Sequence, residues 1–146
     1  MLPNFEGIRY FSPLSMVYQW GDPSKIDHGL LLKVDALRYE LNTPLIITSG
    51  YRPQDMGSQH ALGLALDIMA PKFTGSLYDI YLAAEHLNFK GLGVYPDWVY
   101  MGKKLGGLHV DERIATKPSR WMGVLIQHKQ EYIALNSTNL KLHGVV

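Results

Sequence analysis

At 146 residues the chain has the length of one domain. Its 47% hydrophobic and 18% charged residues support a packed core and exclude bulk disorder. The 14 Lys and Arg residues balance 13 Asp and Glu to a net charge of +1, so there is no electrostatic case for a nucleic-acid or anionic-membrane partner. There is no cysteine, so a disulfide framework is excluded and any metal site must be built from histidines and carboxylates.

Residues 1–24 read as irregular, with Pro3, Pro13, Gly21 and Pro23 breaking up short apolar pieces. Glu6 and Arg9 stand where a signal peptide needs an unbroken apolar run, and no stretch reaches the roughly 18 apolar residues of a membrane span. The expectation is a soluble monomer, cytoplasmic as synthesised. From Ile26 to Leu41 the apolar positions Leu30, Val34, Leu37 and Leu41 recur at helical spacing, with Ser24 or Asp27 as cap and Asn42 and Pro44 as stop. Leu45–Thr48 is a short β-branched run that reads as a buried strand. A polar loop, YRPQDMGSQH, leads to a second strand at Leu64–Ile68. Ser76–Leu87 is an amphipathic helix capped by Ser76 or Thr74.

Three further strands are expected at Gly91–Tyr95, Trp98–Met101 and Leu108–Arg113, the last two pairing as a hairpin around Gly102 and Gly106-Gly107. Trp121–Asn136 fits either one helix or a hairpin turning at Gln127–Gln130, the hairpin being preferred for Val124, Ile126, Tyr132 and Ile133, and residues 137–146 read as a tail. The whole predicts a single α+β domain. Gly91-x-Gly93 lacks a third glycine and a helix cap, so it is not a nucleotide fingerprint. His28, His86, His128 and His143 have no partner at ligand spacing and are assigned to solvated surface.

Ligand-type residues inside apolar strands mark the chemistry. Asp67 lies within Leu64–Ile68, and a buried carboxylate must be paired or coordinated to offset several kcal/mol of lost hydration. In Leu108–Arg113 a period of two puts His109, Asp111 and Arg113 on one face, with Glu112 pointing the other way. Arg52 follows directly on a strand end, where functional groups are often mounted. Two imidazoles and one carboxylate make a three-ligand zinc site that leaves a fourth position for water.

The surrounding letters sharpen this. SGYR at Ser49–Arg52, SQHALGLALD at Ser58–Asp67 and HVD at His109–Asp111 follow one another in order. Here the chain resembles the zinc D-alanyl-D-alanine peptidases, the superfamily that includes phage L-alanyl-D-glutamate endolysins and the hedgehog signalling domain. The resemblance covers about residues 26–121. It implies a small, mostly antiparallel sheet with flanking helices, Zn2+ held by His60, Asp67 and His109, Arg52 binding substrate or transition state, and Ser58 near the substrate. The implied reaction is hydrolysis of peptidoglycan stem peptides, by a carboxypeptidase or an endopeptidase, in the setting of a phage or prophage lysin that reaches the wall after release. Several members carry a catalytic carboxylate three residues before the last ligand. That position is Gly106 here, and the nearest substitute is Asp111, as proton acceptor or as a partner orienting an imidazole. The segment Asp97–Gly107 is longer than in compact relatives and would form an extra hairpin beside the site. The alternative is a non-catalytic, zinc-stabilised phage structural or binding domain of the same fold.

Overall fold

The computed structural model describes residues 1–146. Helix α1 (His28–Leu41) starts where Asp27 accepts a hydrogen bond from the Leu30 amide and stops at Asn42, whose left-handed φ of 48° closes the last turn. Strand β1 (Ile46–Ser49) leads into the polar loop, and strand β2 (Ala65–Met69) is buried along its whole length. Helix α2 (Leu77–His86) opens on a capping box in which Ser76 and Asp79 satisfy each other's backbone amides. Then follow β3 (Gly91–Tyr95), the short β4 (Val99–Tyr100) and β5 (Lys103–Lys104), β6 (Gly107–Asp111), β7 (Ser119–Ile126), β8 (Lys129–Ile133) and helix α3 (Ser137–Leu142).

Six strands form one sheet in the order β1-β2-β6-β3-β7-β8, antiparallel except for the parallel pair β3–β7. The fold is α+β. Because side chains alternate along a strand, the sheet has two different faces. One carries Leu66, Ile68, Leu92, Val94, Leu108, Val110, Met122 and Val124, which join Leu30, Leu31, Val34 and Leu37 of α1 and Ile80, Tyr81 and Ala84 of α2 in a single core of 24 buried residues. The other face carries the ligand-type residues. Both principal helices therefore cover one side, and the chemistry sits on the other.

Two expectations are corrected. Val99–Tyr100 pairs with Lys103–Lys104 in a separate two-stranded hairpin and not with Leu108–Arg113. Strand β6 lies between β2 and β3 because its period-two pattern carries apolar residues for the core and polar ones for the open face. The small hairpin is the extra element expected within Asp97–Gly107. The tail is also more than a tail: α3 buries Leu140, and Val145 follows it into the core. Residues 1–24 are irregular as expected apart from 3₁₀ turns at Pro3–Phe5 and Pro23–Lys25, yet Phe5, Phe11 and Trp20 are buried, and Asp35 of α1 holds the segment through the amides of Arg9 and Tyr10. The hairpin β7–β8 turns at Gln127-His128, both at positive φ (51° and 63°), the signature of a two-residue turn that matches strand twist. No helix is long and apolar enough to cross a membrane.

Candidate metal centre

Register brings the site together. Asp67 of β2 lies opposite His109 of β6, and His109 lies opposite Gly93 of β3. Beyond Gly93, in the same row, comes Trp121 of β7. Between β1 and β2 the chain makes a single 3₁₀ turn at Gln59–Leu62 that lowers His60 onto this row. Ser58 caps that turn, its hydroxyl accepting from the Ala61 amide and donating to the Asp55 carbonyl. Gly63 ends it at φ 71°, where an added Cβ would overlap the Lys25 carbonyl, so only glycine lets the chain double back into β2.

His60, Asp67 and His109 each present one ligand atom, and the three atoms lie within 4.8 Å of one another. His60 Nε2 is 3.2 Å and His109 Nδ1 3.1 Å from the same Asp67 Oδ1. The outward nitrogens are also engaged: His60 Nδ1 lies 2.7 Å from the Gly50 carbonyl, and His109 Nε2 lies 2.7 Å from Asp111 Oδ2. Both rings are thus held from behind with their inner nitrogens facing one point. That is how metal-ligating histidines are usually oriented. Two nitrogens and one carboxylate oxygen suit zinc, and the group could hold a metal ion.

Burial alone would raise the Asp67 carboxyl, but hydrogen bonds from His109 and His60, with their charge, hold it down at about 2. Desolvation pulls the other way on His109, whose imidazole is nonetheless raised above its ordinary value by hydrogen bonds to Asp111 and Asp67. Asp111 is fully buried. It accepts a two-pronged bond from Arg113 (Nε 2.9 Å, Nη2 2.7 Å) as well as the contact with His109. Although burial opposes it, these bonds keep the Asp111 carboxyl far below the ordinary carboxylate range. It lies on the far side of the His109 ring from Asp67. Arg113 in turn stacks on Trp121, 5.1 Å from ring centroid to guanidinium. Glu112 points to the opposite side as alternation requires, meeting Lys33 of α1.

In front of the three residues lies a cleft of about 640 Å³. One wall is the loop after β1: Arg52, Asp55, Ser58 and Gln59. Arg52 Nη2 pairs with Asp55 at 3.2 Å and its Nη1 lies 4.0 Å from Asp67, while its Nε is buried without a partner. The opposite wall is aromatic: Tyr95, Trp98, Trp121 and Tyr132, with Arg113 and Gln130. Three glycines make room for it. A Cβ at Gly91 would overlap the Asp111 carboxylate, one at Gly93 would fall 2.5 Å from Trp121 Cε2, and one at Gly123 would run into the Tyr95 ring. Asp111, Trp121 and Tyr95 therefore lie flat on the sheet over strand positions that have no side chain.

The residues named from sequence are accordingly brought together, with different duties for some of them. Arg52 and Ser58 both line the cleft, but the Ser58 hydroxyl is occupied in capping the His60 turn. A side chain at position 106 would meet Leu77 and Pro96, so this position faces away from the metal-binding row. The aromatic wall was not assigned from sequence. Its signal was present in the alternate glycines of Gly91-Leu92-Gly93, which leave strand surface for a neighbour's large side chain to cover. Of the other histidines, His28, His86 and His128 are exposed, as expected, and His143 is half-buried. A scan against protein-family models matches none, and a search of curated proteins likewise finds no match.

Proposed function

We propose that the protein is a zinc-dependent peptidase that hydrolyses peptide bonds in bacterial peptidoglycan. The observation that carries this reading is the His60–Asp67–His109 group on the floor of an open cleft, with the far nitrogen of each imidazole anchored. The motif resemblance described above supports the substrate class. A zinc ion held by these three residues supplies Lewis acidity toward a carbonyl and an acidified water as nucleophile.

The chain's own groups do the rest. Gly50 and Asp111 keep the two imidazoles in the tautomer and orientation that ligation needs. Arg52, whose guanidinium lines the cleft beside Asp67, binds a carboxylate or a polarised carbonyl oxygen of the substrate. Asp111 is closed off by Arg113 and His109. In this reading the proton acceptor is a carboxylate of the cleft, Asp55, which is half-exposed and pairs with Arg52. The aromatic wall gives the peptide an apolar surface to lie against.

One observation favours a second reading, a domain in which zinc only stabilises the fold: position 106, where several members of the resembled family carry a carboxylate, is a glycine with no room for a side chain. One experiment separates the two. Purified peptidoglycan is incubated with wild-type protein, with chelator-treated protein and with His109→Ala, and new amino groups are counted. The expected outcome is release by the wild type alone, with zinc stoichiometry falling from about one per chain to near zero in the variant. A folded, zinc-loaded wild type that releases nothing from several wall types would overturn the peptidase and favour the stabilising metal.

A further inference from the structure

The aromatic wall of the cleft also carries a hydrogen-bond donor. Tyr95 is the last residue of β3, two positions along from Gly93, which lies opposite His109, so its side chain emerges on the metal-binding face. Its ring is clamped. One face stacks on Trp98 with centroids 4.3 Å apart and planes 18° apart, and the ring occupies the space that a Cβ at Gly123 would take. Its hydroxyl accepts a hydrogen bond from Trp121 Nε1 at 2.9 Å. Trp121 in turn lies against His109, with ring centroids 5.2 Å apart.

A phenol that already accepts has its own proton left to donate. No protein group takes the proton of Tyr95, and the residue lines the cleft in front of His60, Asp67 and His109. Burial raises the phenol to about 12, although the bond from Trp121 acts to lower it, so near neutral pH the hydroxyl keeps its proton. A neutral, fixed donor of this kind is what a developing oxyanion calls for, because it costs no reorganisation and adds no charge to the resting cleft. Tyr132, also on the wall, is largely exposed and has no such clamp, so it is less suited to the task.

Building on the peptidase reading, we infer that the Tyr95 hydroxyl donates a hydrogen bond to the oxyanion formed when the scissile carbonyl is attacked, with Trp121 as the positioning residue that aims it. No bond to Tyr95 is made or broken. The hydroxyl keeps its proton throughout, and its contribution is an interaction present in the transition state and weak in the ground state. The wall thus has a chemical task beside its apolar one.

The test is Tyr95→Phe, which keeps the clamped ring and removes the one oxygen, together with Trp121→Phe, which removes the N–H that aims it. Three quantities are read for each zinc-loaded protein: zinc stoichiometry, kcat and KM on the wall peptide the wild type cleaves, and calorimetric affinity for the phosphinate isostere of that bond. For Tyr95→Phe the expected result is a roughly 100-fold lower kcat, the loss typical of one oxyanion donor, with KM within about twofold. Phosphinate affinity should fall by a similar factor and zinc stoichiometry should be unchanged. Trp121→Phe should show a smaller loss of the same kind. Wild-type kcat and phosphinate affinity in Tyr95→Phe would overturn the inference while leaving the peptidase in place. Zinc loss in Tyr95→Phe would overturn it too, by making the residue structural. If the wild type itself cleaves no wall and binds no phosphinate, the peptidase reading falls and the role of Tyr95 falls with it.

Discussion

Asp111 ties several groups together. It joins His109 to Arg113, and Arg113 to the face of Trp121, so one buried group fixes a ligand and part of the cleft wall. Asp111→Asn should weaken zinc affinity about 10- to 100-fold, as removal of such partners usually does, with the fold retained. Chelator competition measures this, and unchanged affinity would show that His109 is held without it. Gly93 makes a complementary case. Its φ is not in the left-handed region, so the objection to a side chain there is space alone. Gly93→Ala should push Trp121 off the sheet and cost about 1–3 kcal/mol by overpacking, read from denaturant unfolding.

Elements are held by local chemistry that can be tested separately from the site. Helix α2 depends on a reciprocal cap, in which the Ser76 hydroxyl accepts from the Asp79 amide and the Asp79 carboxylate accepts from the Ser76 amide, at 3.1 and 2.9 Å. Ser76→Ala should cost about 1 kcal/mol of stability and leave zinc binding untouched, since α2 packs on the face opposite the site. A larger loss, or a change in metal affinity, would mean that the two faces of the sheet are coupled. Strands β2 and β6 are different in kind. Each carries apolar side chains to the core and ligands to the open face, so a one-residue slip of either would bury the ligands and expose the core. The register that builds the site is therefore enforced by the hydrophobic effect.

For the molecule as a whole, the concentration of charge at one point makes stability depend on pH and metal. The Asp67 carboxyl is held at about 2 against an ordinary 3.8. A depressed carboxyl stabilises the fold fully above its unfolded value, and that contribution is lost as pH falls from about 4 toward about 2. His109 is raised, so its contribution is present below 6.5 and is lost as pH climbs through the raised value. The metal-free protein should thus lose stability at both ends of the scale, and Asp67→Asn should shrink both limbs, leaving the part that Asp111 carries; unfolding midpoints against pH give the answer. Zinc bound as proposed would remove the alkaline limb, because a ligating His109 must be neutral. At 100 times its dissociation constant it should also add about 2.7 kcal/mol to the unfolding free energy. A melting temperature insensitive to added zinc would argue against a site in the native state.

How much of this could be read from letters differs by kind of interaction. Helices α1 and α2, most strands and the β7–β8 turn were legible, because spacing and capping residues are local signals, whereas α3 was not. The grouping of His60, Asp67 and His109 was legible through the motifs that carry the resemblance. Alternation alone placed Asp111 beside His109 and turned Glu112 toward α1. Pairing partners were not legible. Nothing local says that Val99–Tyr100 closes on Lys103–Lys104, or that β6 inserts between β2 and β3, since those choices depend on which apolar faces meet. The division of labour inside the site was hidden for the same reason. That Ser58 caps a turn, that Asp111 is sealed under Arg113, and that Tyr95 lies over Gly123 with a proton to give depend on contacts across strands far apart in the chain. Local patterns determined most secondary elements, and the motif resemblance grouped His60, Asp67 and His109, whereas long-range packing, which no local pattern encodes, decided which groups are free to act.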